Sequence, residues 1–364
     1  MSNNTIFNKQ LEKCARIPWL DNARAFAILA VILVHATEHI YIMDATHLNA
    51  MSTQSALFAI SAFSIGRLGV PIFLFLTGFL LLDRNFTGDM CKKFWRKNWL
   101  GMLITTEVWI VLYDLFLWAL HLQPHWQTVA LFKDMFFMTQ VHMGHMWYMP
   151  MIVGIYLCIP FAARSLQKLD TKILVFPLTI LSAYAFLIPV WRVINEALSF
   201  TNVGSVLNLG YSGGVFGIYI IFGYCIKKGM LSFFKKNQLL IIASMSFFLT
   251  VFLQIFSYFY GKTYNVWYNC GVLLISALFL FEYFSRIHFI GNQKWYNWLS
   301  RNSFGIYMIH FPVLMLIKKW LNCLQIILPI KVIILFAFVL ITSSIFCWSI
   351  NYFPRLSKIL LYDR

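Results

Sequence analysis

Apolar windows of about 20 residues, nearly free of charge, recur along the whole of this 364-residue chain, and no other feature narrows its fold as much. A helix of that length spans about 30 Å, the thickness of a bilayer's hydrocarbon core. In that core every backbone amide must be satisfied within its own segment, so the chain must fold as a helix bundle. Composition agrees: 60% of residues are hydrophobic, 12% are charged and mean hydropathy is +0.72, which leaves too little polar surface for a soluble domain of this size. The polar start MSNNTIFNKQLEKCARIP lacks the basic, apolar and small-residue pattern of a cleaved leader, so the first span is expected to stay in the membrane.

The windows predict an all-α polytopic membrane protein with about ten spans: 19–40, 61–82, 99–121, 145–163, 171–191, 211–226, 238–259, 265–285, 303–320 and 331–352. Residues 1–18 form a cytoplasmic segment, 19–352 the membrane domain and 353–364 a short cytoplasmic tail. With both termini cytoplasmic, inside segments hold 22 of the 29 Lys and Arg and outside segments 7, as the positive-inside rule requires. That rule accounts for the net charge of +16 without nucleic acid. Seven scattered cysteines with no C-x-x-C pair give no disulfide framework and no metal site. The stretch WQTVALFKDMFFM, close to His121, His125 and His142, reads as a short interfacial helix.

Within the first span, IPWLDNARAFAILAVILVH, Arg24 and His35 stand eleven residues apart. Eleven residues turn a helix through about 1100° and raise it roughly 16 Å, so both share one face. Arg24 is expected near a membrane surface and His35 near mid-bilayer, where ionisable groups are costly and mark pathways or reacting centres. Glu38 lies one turn beyond His35, and Asp21 is an i,i+3 neighbour of Arg24. The alternative is structural: an arginine anchoring the helix at the headgroups and a histidine hydrogen-bonded in the core.

Three later motifs carry polar groups into spans. In RLGVPIFLFLTGFLLL (67–82), Gly69, Pro71, Thr77 and Gly78 allow bending or close helix approach. In HMGHMWYMPMIVGIY (142–156), His145, Trp147 and Tyr148 form either an interfacial aromatic belt or a ligand wall. In LSRNSFGIYMIHFPV (299–313), Ser303, Tyr307 and His310 recur on one helical face, joining two helices or facing the cavity of His35. Glu107 and Asp114 add an acidic face in the third span.

The L-D-x-x-R and R-x10-H pattern of the first span, followed in order by G-V-P-I-F-L-F-L-T-G-F, W-Y-x-P-M and S-F-G-I-Y-x-x-H-F-P, resembles acyltransferase family 3, integral-membrane O-acyltransferases of bacterial surface glycans. The resemblance runs from about residue 16 to the last span. It implies that Arg24 serves the acyl-CoA donor and that His35 is essential for transfer, with Asp21 and Arg16 at neighbouring acidic and basic positions of the motif. Asn22 and Thr77-Gly78 depart from commoner residues without removing a reacting group. Longer relatives carry an extracytoplasmic hydrolase-like domain; this sequence reads as the stand-alone type.

The implied activity is transfer of an acetyl group from acetyl-CoA, a co-substrate rather than a resident cofactor, to a hydroxyl of a glycan or lipid-linked glycan. The place is a bacterial inner or plasma membrane, with lipid as surroundings. Arg24 is expected to meet CoA phosphate, aided by Lys92, Lys93, Arg96 and Lys97, and the thioester to rise toward His35 through one continuous cavity. His35 acts as general base, or is itself acylated, and Glu38 orients its ring. His145, Trp147, Tyr148, Ser303, Tyr307 and His310 are the candidate substrate wall. The competing classes are a transporter or flippase of a lipid-linked sugar and a non-catalytic scaffold.

Overall fold

A computed structural model describes residues 17–123, 128–139, 143–200, 214–287 and 292–362. These fold into helices, with no strand among the described residues. Eight helices are long and apolar enough to cross a membrane: α1 Pro18–Ile40, α2 Thr53–Leu81, α3 Gly88–Ala119, α4 Tyr148–Gln167, α5 Thr171–Ala197, α7 Lys236–Phe259, α9 Gln293–Leu321 and α10 Leu328–Asn351. Two shorter apolar helices, α6 Gly214–Lys227 and α8 Gly271–Ser285, occupy the sixth and eighth expected spans. A last short helix, α11 Pro354–Leu360, folds back against α3 and α10. The stretch expected to form an interfacial helix contains a helix at Thr128–Met135, while Arg16, His125 and His142 lie outside the described residues.

The first span is the hub. α1 packs against α2, α8, α9 and α10. Small residues line it on every side (Ala23, Ala25, Ala27, Ala30 and Ala36 are all buried), which lets neighbouring backbones come close. Where α2 crosses α1, a Cβ on Gly66 would lie 2.5 Å from the Val34 Cβ, and one on Gly69 would lie 2.6 Å from the Ala27 carbonyl oxygen. Further along, a Cβ on Gly78 would fall 1.8 Å from the Ile220 carbonyl oxygen and one on Gly223 2.2 Å from that of Phe75. The 67–82 motif is therefore a packing device that brings α2 against α1 and α6.

Contacts between α1 and α9 set the geometry of the site. Arg24 meets Ser300 and His35 faces His310, offsets of 276 and 275 residues (300 minus 24, 310 minus 35), so the two helices run parallel and in register. One end of the bundle gathers basic groups: Asp83 pairs with Lys227 and Lys228, and Arg164 donates to the Phe86 carbonyl. The other end holds Glu38, Arg67 and the 260–270 connection, where Thr263 accepts from the Ala45 amide.

Candidate active site

At the basic end α1 presents Asp21 and Arg24 to α9. Arg24 Nη1 donates to the Ser300 hydroxyl at 3.2 Å, and that hydroxyl donates to Asp21 Oδ1 at 2.6 Å. The expected i,i+3 neighbours are thus bridged by a serine of another helix. Above them opens a cavity of about 360 Å³, walled by α1, α2, α3, α4, α9 and the C-terminal tail. That volume is in the range of small-molecule sites. Arg24, Arg84 and Arg301 line it together with Asn98 and Tyr362, and no carboxylate among the described residues does. The basic wall differs from expectation here: Lys92, Lys93, Arg96 and Lys97 do not line the cavity. They lie on the turns before Asn98, which pass into a short π-helical stretch at Trp95–Trp99.

Away from this end the cavity narrows to Val31, Tyr148 and Tyr307, with Ser303 on its wall. Val31 lies one turn before His35, and His35 itself does not line the space. The tyrosine rings, 5.7 Å apart, close it, and Tyr307 is pinned there by donating to the His145 carbonyl at 2.5 Å. The expected continuous passage from Arg24 to His35 is therefore interrupted by two aromatic rings. Along α1 itself His35 is five residues from the end, because the backbone turns extended at Tyr41, so it lies nearer the far end of the helix than its middle.

Beyond the rings stands a relay of charged groups. His35 Nδ1 is 2.9 Å from Glu38 Oε2, and Arg67 Nη2 donates to Glu38 Oε1 at 3.0 Å. A carboxylate only accepts, so His35 Nδ1 is the donor in this contact. Arg67 is buried, donates to the Tyr268 hydroxyl at 3.2 Å and lies over the rings of Phe63, Trp267 and Tyr268 at 4.4, 4.7 and 5.4 Å. A guanidinium boxed in this way is fixed in position and strengthens its hold on the carboxylate.

His145 and His310 complete the cluster, with ring centroids 6.4 and 5.3 Å from His35. Phe311 stacks on His145 at 4.7 Å and meets His35 edge-on at 5.5 Å. Trp147 takes a different place: it packs against Phe216, Trp267 and Tyr268 and supports the Arg67 box. Glu107 and Asp114 line neither the cavity nor the cluster; Asp114 accepts from Gln123. No group of three His, Cys, Asp or Glu among the described residues is arranged to hold a metal ion.

Sequence reasoning passed over Arg67, Arg84, Arg301, Tyr113 and Tyr268. Arg67 alone carried a signal: an arginine within an apolar segment needs an anion, and Glu38 of α1 is the carboxylate it meets. Among known proteins, residues 17–352 match a family model described as an acyltransferase domain. No curated protein and no solved structure matches the chain.

Proposed function

The chain belongs to acyltransferase family 3, which makes it a multi-pass membrane acyltransferase, and we propose that it moves an acetyl group from acetyl-CoA to a hydroxyl of a cell-surface or lipid-linked glycan in a bacterial cytoplasmic membrane. In this reading the basic end faces the cytoplasm. The observation that supports it most is a cavity with three arginines at its mouth, ending one helical turn below a histidine whose ring is held by a carboxylate.

The arginines suit the phosphates of CoA, since a guanidinium offers paired donors to each. The pantetheine arm extends along the cavity past Thr77 and Ile152, and the thioester reaches His35 when the Tyr148 and Tyr307 rings part. The acceptor hydroxyl enters from the far end. His35 Nε2 takes its proton as the oxygen bonds to the acyl carbon, the carbon–sulfur bond breaks, and the imidazolium returns the proton to the departing sulfur. The products are an acetyl ester and free CoA. Glu38, held by Arg67, keeps the hydrogen on Nδ1 and stabilises the imidazolium between the two transfers.

The test uses purified protein in lipid nanodiscs with labelled acetyl-CoA. CoA release and label in extracted glycan should vanish in His35→Ala. Arg84→Ala and Arg301→Ala should each raise the KM for acetyl-CoA about tenfold, the worth of a charge-assisted phosphate contact, with kcat little changed. Undiminished CoA release in His35→Ala, or movement of a lipid-linked sugar across the bilayer with no CoA released, would replace this reading with another.

A further inference from the structure

Two imidazoles beside His35 are not used by the transfer just described. His145, in the turn before α4, and His310, on α9, are 1% and 0% exposed, with rings 5.0 Å apart. Their partners fix which nitrogen of each carries the hydrogen. A carbonyl only accepts, so His310 Nδ1, 2.5 Å from the Tyr307 carbonyl oxygen, is the N–H. The Tyr113 hydroxyl donates its own hydrogen to the Met308 carbonyl at 2.7 Å, so its oxygen accepts from His145 Nε2–H at 3.2 Å. His310 Nε2 and His145 Nδ1 are left as lone pairs, buried and without a partner among the described residues.

Buried acceptors without donors are costly and rare, so two of them beside His35 point to a ligand that brings donors. The chemistry that fits is a set of neighbouring O–H groups. We propose that His310 Nε2 and His145 Nδ1 each accept a hydrogen bond from a hydroxyl flanking the one His35 deprotonates, so that the site selects a vicinal polyol over an isolated hydroxyl. The proposal rests on the acyl-transfer reading and names its acceptor subsite. The flanking hydroxyls keep their hydrogens throughout; they orient the reacting oxygen, and only that oxygen exchanges its proton for the acyl group.

The natural acceptor is replaced in the test by two probes, methyl α-D-mannopyranoside, which carries vicinal hydroxyls, and cyclohexanol, which carries one. In nanodiscs with labelled acetyl-CoA, kcat/KM for the glycoside should exceed that for cyclohexanol about 10- to 100-fold, the usual range for two satisfied buried acceptors. His310→Leu and His145→Leu should each bring the ratio toward one with the KM for acetyl-CoA unchanged. His310→Gln and His145→Asn, which keep an acceptor near the original nitrogen, should restore most of it. An unaltered ratio in both leucine variants overturns the proposal.

A second readout needs no turnover and no variant that folds. In ¹⁵N-histidine-labelled wild-type protein, His310 should show the Nδ1–H tautomer and His145 the Nε2–H tautomer, and the glycoside should shift both bare nitrogens while cyclohexanol leaves them in place. Opposite tautomers, or resonances that the glycoside does not move, overturn the proposal. Shifts of that kind in a protein that releases no CoA would retain the polyol subsite and remove the acyl-transfer reading instead.

Discussion

Replacing Glu38 with glutamine removes one charge from the relay while keeping its shape. In the proposed transfer His35 becomes an imidazolium and faces the Glu38 carboxylate across a 2.9 Å contact. With charge centres about 4 Å apart and an effective dielectric of about 20, that attraction is worth about 4 kcal/mol. Two features of the structure reduce it. The Glu38 side chain is 32% exposed, so solvent screens part of the field, and Arg67 at 3.0 Å already offsets part of the charge. A net loss of about 2–3 kcal/mol remains, which lowers kcat roughly 30- to 150-fold. The KM for acetyl-CoA should stay put, because the Arg24 end lies about 16 Å away along α1. Rates of CoA thiol release over a range of acetyl-CoA concentrations separate the two constants. Arg67 acts through Glu38, so Glu38→Gln combined with Arg67→Met should be no slower than the worse single variant. The reasoning fails if Glu38→Gln keeps kcat within threefold of wild type while His35→Ala is inactive, or if the loss appears in KM for the donor rather than in kcat.

Other consequences concern the scaffold. Gly78→Ala and Gly223→Ala each drive a Cβ into the backbone of the facing helix, at 1.8 and 2.2 Å in the unrelaxed structure, and each should cost about 3 kcal/mol or more, read as a lower melting point in detergent. Cys347 is fully buried near Gly305, where Leu361 of the tail also packs, so truncation before Leu361 should make Cys347 reactive toward a maleimide that leaves it untouched in the intact chain. Outside the spans, burial alone would raise the Asp83 carboxyl, but hydrogen bonds from Lys228 and Lys227 outweigh it and hold the group below its ordinary value of 3.8. The Asp83 hydrogen bond likewise raises the Lys228 ammonium above 10.5. The acid's contribution is present above 3.8 and lost as pH falls through its lower folded value; the lysine's is present below 10.5 and lost as pH rises through its higher folded value. Asp83→Asn should therefore lower the melting point by a near-constant amount between about pH 5 and 9, no more than about 1 kcal/mol for so exposed a pair, and differ little from wild type below about pH 3.

The helices and the pairing within α1 were legible because they depend on local quantities. Apolar windows of membrane length give α1–α10, since backbone satisfaction in lipid leaves no other local answer. The angular step of a helix gives Arg24, His35 and Glu38 on one face, and the structure places the His35–Glu38 contact there. The same arithmetic groups Ser303, Tyr307 and His310, which turn toward the cavity and the cluster as a row. What a window cannot supply is the register between segments far apart in the chain. The parallel alignment of α1 and α9 decides that Ser300 bridges Asp21 and Arg24 and that His310 faces His35. The glycines that bring α2 against α1 carry in sequence only the message that something comes close.

Arg67 shows how a correct rule can conceal a site. Counted toward topology, it is one of the seven outside charges; in the structure it is buried in a box of three aromatic rings and committed to Glu38. Charge counting assumes that a basic residue near a helix end faces water or headgroups. Here α2 runs Thr53–Leu81, so Arg67 lies near the middle of the helix and not at its end, and Phe63, Trp267 and Tyr268 surround it. The cost of stripping water from a guanidinium is then offset by the Tyr268 hydroxyl, by the ring faces and above all by a carboxylate at contact distance, which α1 supplies in Glu38. Arg67 and Glu38 thus need each other for the fold, and their contact leaves His35 Nδ1–H the other carboxylate oxygen. A residue pair that the bundle requires for burial also sets the tautomer on which the proposed chemistry depends. Variants that break the pair should therefore lose stability and turnover together, whereas changes at the Arg24 end should separate them.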